Sequence, residues 1–182
     1  MILKLTIFPD KLLRQKSEPV VINDENDLAH MQSFLDSMVE TCRHIHGIGL
    51  SAVQVGIPSR MFVVVTEEEE LHFINPEIVE VSPNEVMMRE GCLSFPGVFA
   101  DVTRPALVKI KYKDYNFQDQ ELEAYGIVGR CILHEYDHLE GRVFSDLLKP
   151  VARDMVNRKS KKAKKMIDRH VARQAAAGDM IT

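Results

Sequence analysis

The chain predicts an α+β fold: mixed short antiparallel strands packed around a central helix, with a long helix in the N-terminal half and another at the C-terminal end. Three observations predict it. Leu28, Met31, Leu35, Met38, Cys42 and Ile45 recur at spacings of 3, 4, 3, 4 and 3, the stripe of an amphipathic helix. Between residues 60 and 123, short Val-, Ile- and Phe-bearing runs alternate with Asn-Pro and Pro-Asn breaks, the pattern of strands and turns. Helical periodicity then returns before Gly141 and again after Pro150.

The elements follow in order. Residues 2–8 read as a short strand closed by Pro9-Asp10, and 9–23 as irregular chain around Pro19. Asn23 or Asp24 caps the first helix. Its apolar stripe serves core packing, so Cys42 within it reads as a buried thiol. Gly47 and Gly49 then allow tight turns and close backbone approach. They lack the third glycine and the strand–turn–helix setting of a dinucleotide fingerprint, which argues against phosphate cradling. Residues 60–66 read as a strand, 67–70 as a solvated acidic turn, and 71–75, 78–81 and 86–88 as further short strands. In 107–112, Val108, Ile110 and Tyr112 alternate with lysines, giving a strand with one wet face. Residues 117–123 form another. A helix starts near Glu123 or Ala124 and stops at Gly141, and a last helix runs from Pro150 to about Ala177.

At 182 residues the chain is one domain with an appendage, the body 1–149 and a basic helical extension, 150–182, packed on it or projecting from it. Three cysteines are too few and too odd for a disulfide framework and fit a reducing cytoplasm. The first residues lack the pattern of a secretory signal or transit peptide, and no apolar run is long enough to span a membrane. Residues 149–173 carry ten Lys or Arg against two Asp, so a net charge of −4 divides into +8 on that segment and −12 elsewhere.

Chemistry centres on His134-Glu135-Tyr136-Asp137-His138. Two histidines four apart lie on one helix face and can reach one metal ion, with the glutamate between them placed for proton transfer. The central helix is then a metal-binding helix, but a catalytic site of this kind needs a third protein ligand. Cys131 lies on the same helix with poor angles for sharing the ion, so it reads as pocket lining. Cys92, flanked by glycine after a strand, is free to approach the helix from a neighbouring element, or is a buried structural thiol. Ile48, Met88, Ile127 and Cys131 stand beside the motifs, as apolar pocket or as ordinary core. Rival readings are a metallopeptidase, a thiol enzyme using Cys92 with His134, and an RNA-binding protein without activity.

Taken together, Gly47-Ile48-Gly49-Leu50-Ser51-Ala52-Val53-Gln54, Glu90-Gly91-Cys92-Leu93-Ser94 and the pentad occur in the order and spacing of peptide deformylases, and the chain resembles that family over nearly its whole length. Ser51 stands where the usual motif has Ala, and Phe99 where many bacterial members carry arginine. The resemblance implies removal of the formyl group from the N-terminal formyl-methionine of new polypeptides by a metal-dependent hydrolase. It implies Cys92, His134 and His138 as ligands of one divalent ion, Fe²⁺ natively, with Zn²⁺, Ni²⁺ or Co²⁺ able to replace it. Glu135 would be the general acid/base, and Gln54 with the Leu93 N–H would bind the oxyanion. Gly47, Ile48, Gly49, Met88, Ile127 and Cys131 would line the substrate site, and Glu90 would pair with Arg104. By its composition the basic helix can pack on its own domain, lie on anionic lipid or bind RNA. The resemblance favours the ribosome near its exit tunnel, in a cytoplasmic monomer that uses neither DNA nor membrane.

Overall fold

A strand that is apolar at every position needs cover on both faces. β2 (Met61–Val65) is such a strand, and all five of its residues are buried. Met61, Val63 and Val65 pack with Met31, Leu35, Met38, Val39 and Cys42 of α1 (Glu25–His44). Phe62 and Val64 point the other way, into a cluster with Ile132, Leu133 and Leu139 of α2 (Gly126–Leu139). The sheet is therefore the middle layer between two helices, and the alternation along one strand sets both interfaces. This is the arrangement in the computed structural model, which describes residues 1–178, with side chains as far as Arg173.

Around β2, the strands β1 (Gly49–Ser51), β3 (Glu70–Val81), β6 (Leu107–Lys113) and β7 (Asp119–Tyr125) complete an antiparallel sheet in the order β1-β2-β3-β6-β7. β4 (Glu85–Gly91) and β5 (Phe99–Pro105) pair only with each other, Glu85 opposite Pro105 and Gly91 opposite Phe99. A third cluster, including Phe8, Phe95, Val102 and Phe144, takes in Val156 from α3 (Pro150–Gly178). Val156 and Ser160 are buried, whereas most described side chains of α3 beyond Ser160 are exposed. The helix is thus rooted in the body and projects from it, and the rest of the 150–182 extension, 179–182, lies outside the described residues. No helix among the described residues is long and apolar enough to cross a membrane.

The helices and strands agree with the α+β expectation, and Asp24 rather than Asn23 caps α1, accepting from the Asp27 N–H at 2.9 Å. Four local expectations are corrected. Residues 2–8 form no strand, because their backbone bonds go singly to separate segments: Thr6 N–H to Gln54 O at 2.7 Å and Phe8 N–H to Ser94 O at 2.9 Å. The two short strands at 71–75 and 78–81 are one, β3, since Pro76 falls where the register with β6 shifts between Ile74 and Glu77 and no ladder N–H is needed. The central helix begins at Gly126, two or three residues late, because Glu123, Ala124 and Tyr125 still pair with Lys109, Val108 and Leu107. Finally, β1 and β5 were not foreseen.

Candidate metal centre and active-site cleft

Helical geometry places His134 and His138 one turn apart on α2, with ring centroids 5.2 Å apart. Cys92 arrives from the turn directly after β4. A Cβ on Gly91 beside it would lie 2.6 Å from the Phe99 ring, so that exposed ring would have to shift. Cys92 Sγ sits 3.3 Å from His138 Nε2. One donor atom from each of Cys92, His134 and His138 lies within 4.8 Å of the others, and among the described residues no other cluster of His, Cys, Asp or Glu could share an ion in this way.

The groups behind the histidines prepare them. Burial disfavours charge on Glu90, yet hydrogen bonds from His134 and Arg104 hold its carboxyl down at about 2. As a carboxylate it accepts from His134 Nδ1 at 3.0 Å, which leaves the Nε2 lone pair free. Burial also opposes charge on His134, but Cys92 and Glu90 raise it to about 10. The same two groups that hold a proton there favour any cation. His138 is pushed well below the ordinary histidine range by burial and by the charges of His134, Arg104 and Arg14, so it is neutral, the ligating form. Glu90 is the hub of a buried ionic cluster: Arg104 Nε donates to it at 2.7 Å and Arg130 Nη1 at 3.0 Å. Arg104 also reaches Asp137 at 2.6 Å. The cluster ties β4, β5 and α2 together beneath the three donors.

Glu135 lies on the other side of His134, buried, and burial raises its carboxyl above the ordinary range against the pull of His134 and Ser51. Ser51 Oγ donates to Glu135 Oε2 at 2.6 Å. A turn of 3-10 helix over Ala52–Val55 carries Gln54. The Ser51 N–H donates to Gln54 Oε1 at 2.8 Å, so the amide's donor end turns toward Cys92 Sγ at 3.5 Å and Ser94 Oγ at 3.3 Å.

A cavity of about 480 Å³ opens over these groups. Gly47, Ile48, Gly49, Ile127 and Cys131 line it, together with Cys92, Leu93, His134 and Glu135. Ile48 and Ile127 are about half exposed at its mouth. Gly49 is glycine because a Cβ would lie 2.4 Å from Cys131 Sγ and 2.7 Å from Glu135 Oε1. Met88 differs from expectation and does not line the cavity. It shares the face of Glu90 but sits two residues further along β4, opposite Val102. Gln54 and His138 lie beneath the lining rather than in it.

Sequence reasoning passed over Arg130, Asp137 and the Ser51 hydroxyl. Arg130 carried a signal, an arginine one turn before His134 on an otherwise apolar helix face, and such a residue needs a buried partner. Arg89, whose guanidinium lies 5.3 Å over the Phe99 ring, also lines the cavity and carried none.

Comparison with known proteins agrees with this geometry. The family model described as polypeptide deformylase matches residues 2–154. A peptide deformylase of Bartonella tribocorum is 42% identical over 168 residues, covering 88% of this chain and 92% of the relative. One from Rickettsia akari is 40% identical over 177 residues, covering 91% and 98%. The crystal structure of a peptide deformylase from Legionella pneumophila superposes with a TM-score of 0.85 at 34% identity, covering 93% of this chain and 99% of that one. The Ehrlichia chaffeensis peptide deformylase in complex with actinonin gives a TM-score of 0.82 at 38% identity, covering 89% and 97%. With the fold, the three motifs and these likenesses extending along the same stretch of chain, the protein belongs to the polypeptide deformylase family and is an enzyme of that family.

Proposed function

We propose that this chain hydrolyses the formyl group from the N-terminal formyl-methionine of newly made polypeptides. The observation that carries the reading is the convergence of Cys92, His134 and His138, with Glu135 beside them, at the base of one apolar-walled cavity. The donor set fits a divalent ion: one sulfur and two imidazole nitrogens, buried, with Glu90 behind His134. Such an ion supplies Lewis acidity that makes water a nucleophile near neutral pH. Fe²⁺ is the ion we assign, on the resemblance to the family alone, since thiolate and imidazole suit it and Zn²⁺ alike. Metal analysis after anaerobic purification tests that assignment.

The chain's own residues do the rest. Glu135 takes a proton from the attacking water and passes it to the departing amine, work its raised carboxyl favours. The Gln54 amide, its donor end already turned toward Cys92, and the Leu93 N–H stabilise the negative charge that develops on the formyl oxygen. Ile48, Ile127 and Cys131 form the apolar wall for the methionine side chain, and Gly47 and Gly49 let the peptide backbone approach. The deciding experiment follows release of formate from a formyl-Met peptide and measures metal content on the same sample. Cleavage of casein with no formate release would instead favour a metallopeptidase.

The exposed basic length of α3 supports the ribosome, RNA or protein near its exit tunnel, as partner, and we propose that the chain meets it as a monomer in the cytoplasm. Because Val156 is part of the core, truncation at Pro150 would damage the body. Charge reversal at Lys161, Lys162, Lys165 and Arg169 is the cleaner test, and co-sedimentation with ribosomes that survives it unchanged would remove that partner.

A further inference from the structure

We infer that Ser51 is a positioning residue that fixes which oxygen of Glu135 moves the proton. This rests on the reading of Glu135 as general acid/base. The serine hydroxyl has one proton and two acceptors in reach, Glu135 Oε2 at 2.6 Å and the Glu135 backbone oxygen at 3.0 Å. The shorter contact, by 0.4 Å, is to the side-chain oxygen, so Oε2 takes the hydroxyl proton. Ser51 is the one side chain that hydrogen-bonds this carboxylate among the described residues, and both residues are buried.

Oε2 is thereby committed to Ser51. Oε1 accepts no hydrogen bond among the described residues and turns toward Gly49 on the cavity wall. The absent side chain of Gly49 leaves space on that side. The asymmetry suits a group that must gain and then lose a proton. Water gives its proton to Oε1, Oε1 returns it to the amine nitrogen as the C–N bond breaks, and Oε2 keeps its bond to Ser51 in both states. Without the hydroxyl, the carboxyl group is free to rotate and to leave its proton on the oxygen that faces away from substrate. The same residue holds its neighbour in order through its backbone, since the Ser51 N–H fixes the Gln54 amide with its donors outward. β1 pairs with β2 through Ser51 and Phe62, so the hydroxyl is held by the sheet and not by a loop.

The test is Ser51→Ala, alone and combined with Glu135→Gln, in the metal-loaded full chain. The expected result is a kcat lower by about 10-fold with KM and metal content unchanged. The loss should vanish in the Glu135→Gln background, because the two changes act through one group. A crystal structure of Ser51→Ala should show the carboxylate rotated away from its wild-type plane, a readout independent of turnover. Unchanged kcat, an equal loss in both backgrounds, or a loss that follows metal content would overturn the inference. If Ser51→Ala does not fold, Ser51→Cys keeps the shape with a weaker donor and should show a smaller loss of the same kind, with wild-type kcat counting against the idea. If the wild-type chain releases no formate, the functional reading fails by itself, and the carboxylate's orientation in the two crystal structures still decides the role of Ser51.

Discussion

Glu90→Gln keeps the shape of the residue and removes its charge. In the folded protein Glu90 receives Arg104 Nε at 2.7 Å, Arg104 Nη2 at 3.1 Å, Arg130 Nη1 at 3.0 Å and His134 Nδ1 at 3.0 Å. All four partners are donors, so the NH₂ of a glutamine must face at least one of them. Arg104 retains Asp137, but Arg130 keeps only the carbonyls of Val86 and Val102. Both guanidinium groups are about nineteen-twentieths buried. Breaking a buried pair on one side costs ~3–5 kcal/mol. At ~2–4 °C per kcal/mol for a chain of this size, the melting temperature should fall by roughly 6–20 °C. His134 also loses the carboxylate that sets its tautomer, so metal affinity should drop by ~10–100-fold. Calorimetric melts of the metal-loaded proteins and titration against a chelator read the two effects separately. Adding Arg130→Met to Glu90→Gln removes the stranded charge and should recover part of the melting temperature. A Glu90→Gln protein that melts within about 2 °C of wild type and holds its metal as tightly would refute the account.

Gly49→Ala puts a methyl group 2.7 Å from Glu135 Oε1 and 2.4 Å from Cys131 Sγ, so the carboxylate must move, and kcat should fall by ~100-fold with the protein still folded. Steady-state kinetics beside a thermal melt checks this, and wild-type turnover would contradict it. Glu135→Gln should keep its metal by elemental analysis and lose ~100-fold or more in kcat, whereas normal activity would remove Glu135 from the mechanism. At the surface, burial opposes charge on Asp146, yet the Arg14 guanidinium and the Val143 N–H hold its carboxyl below the usual range. A carboxyl lowered in the folded state adds stability that is present above its unfolded value of ~4 and is lost as pH falls through the folded one. Asp146→Asn should therefore cost about 1 kcal/mol near neutrality, discounted because Arg14 is two-fifths exposed, and the gap from wild type should close as pH falls through the lowered folded-state value. Denaturant melts at several pH values show this, and a gap independent of pH would contradict it.

What the sequence shows of this molecule follows from the range over which each signal acts. The α1 stripe and the His134–His138 spacing are local, and a helix converts them directly into faces. The β6 alternation is local too: Val108 and Ile110 are buried, as their spacing requires. Residues 99–105 were missed because their apolar positions are few and Pro105 ends them. Met88 was misplaced because nearness to Cys92 in sequence does not say how far along a strand the cavity reaches. The cluster around Glu90 is the clearest case of what sequence alone conceals. Its arginines lie 14 and 40 residues away; nothing local marks Arg104 as buried, and the helical setting of Arg130 calls for a buried partner without saying which. Ser51 looked like a minor departure from a motif, and only the approach of β1 to α2 gives its hydroxyl a partner.

The chain leaves the main sheet after β3, makes the β4–β5 pair, and returns to the sheet beside β3 as β6. Cys92 therefore rides on an excursion, while both histidines ride on a helix fixed to the sheet. A two-stranded unit of this kind can open while the rest stays folded, with Arg104 and Arg130 as its latch. An ion held in part by Cys92 should then leave at the rate of that local opening rather than of global unfolding. Backbone amides of β4 and β5 should exchange with solvent at a rate that tracks metal release, while those of β2 exchange far more slowly.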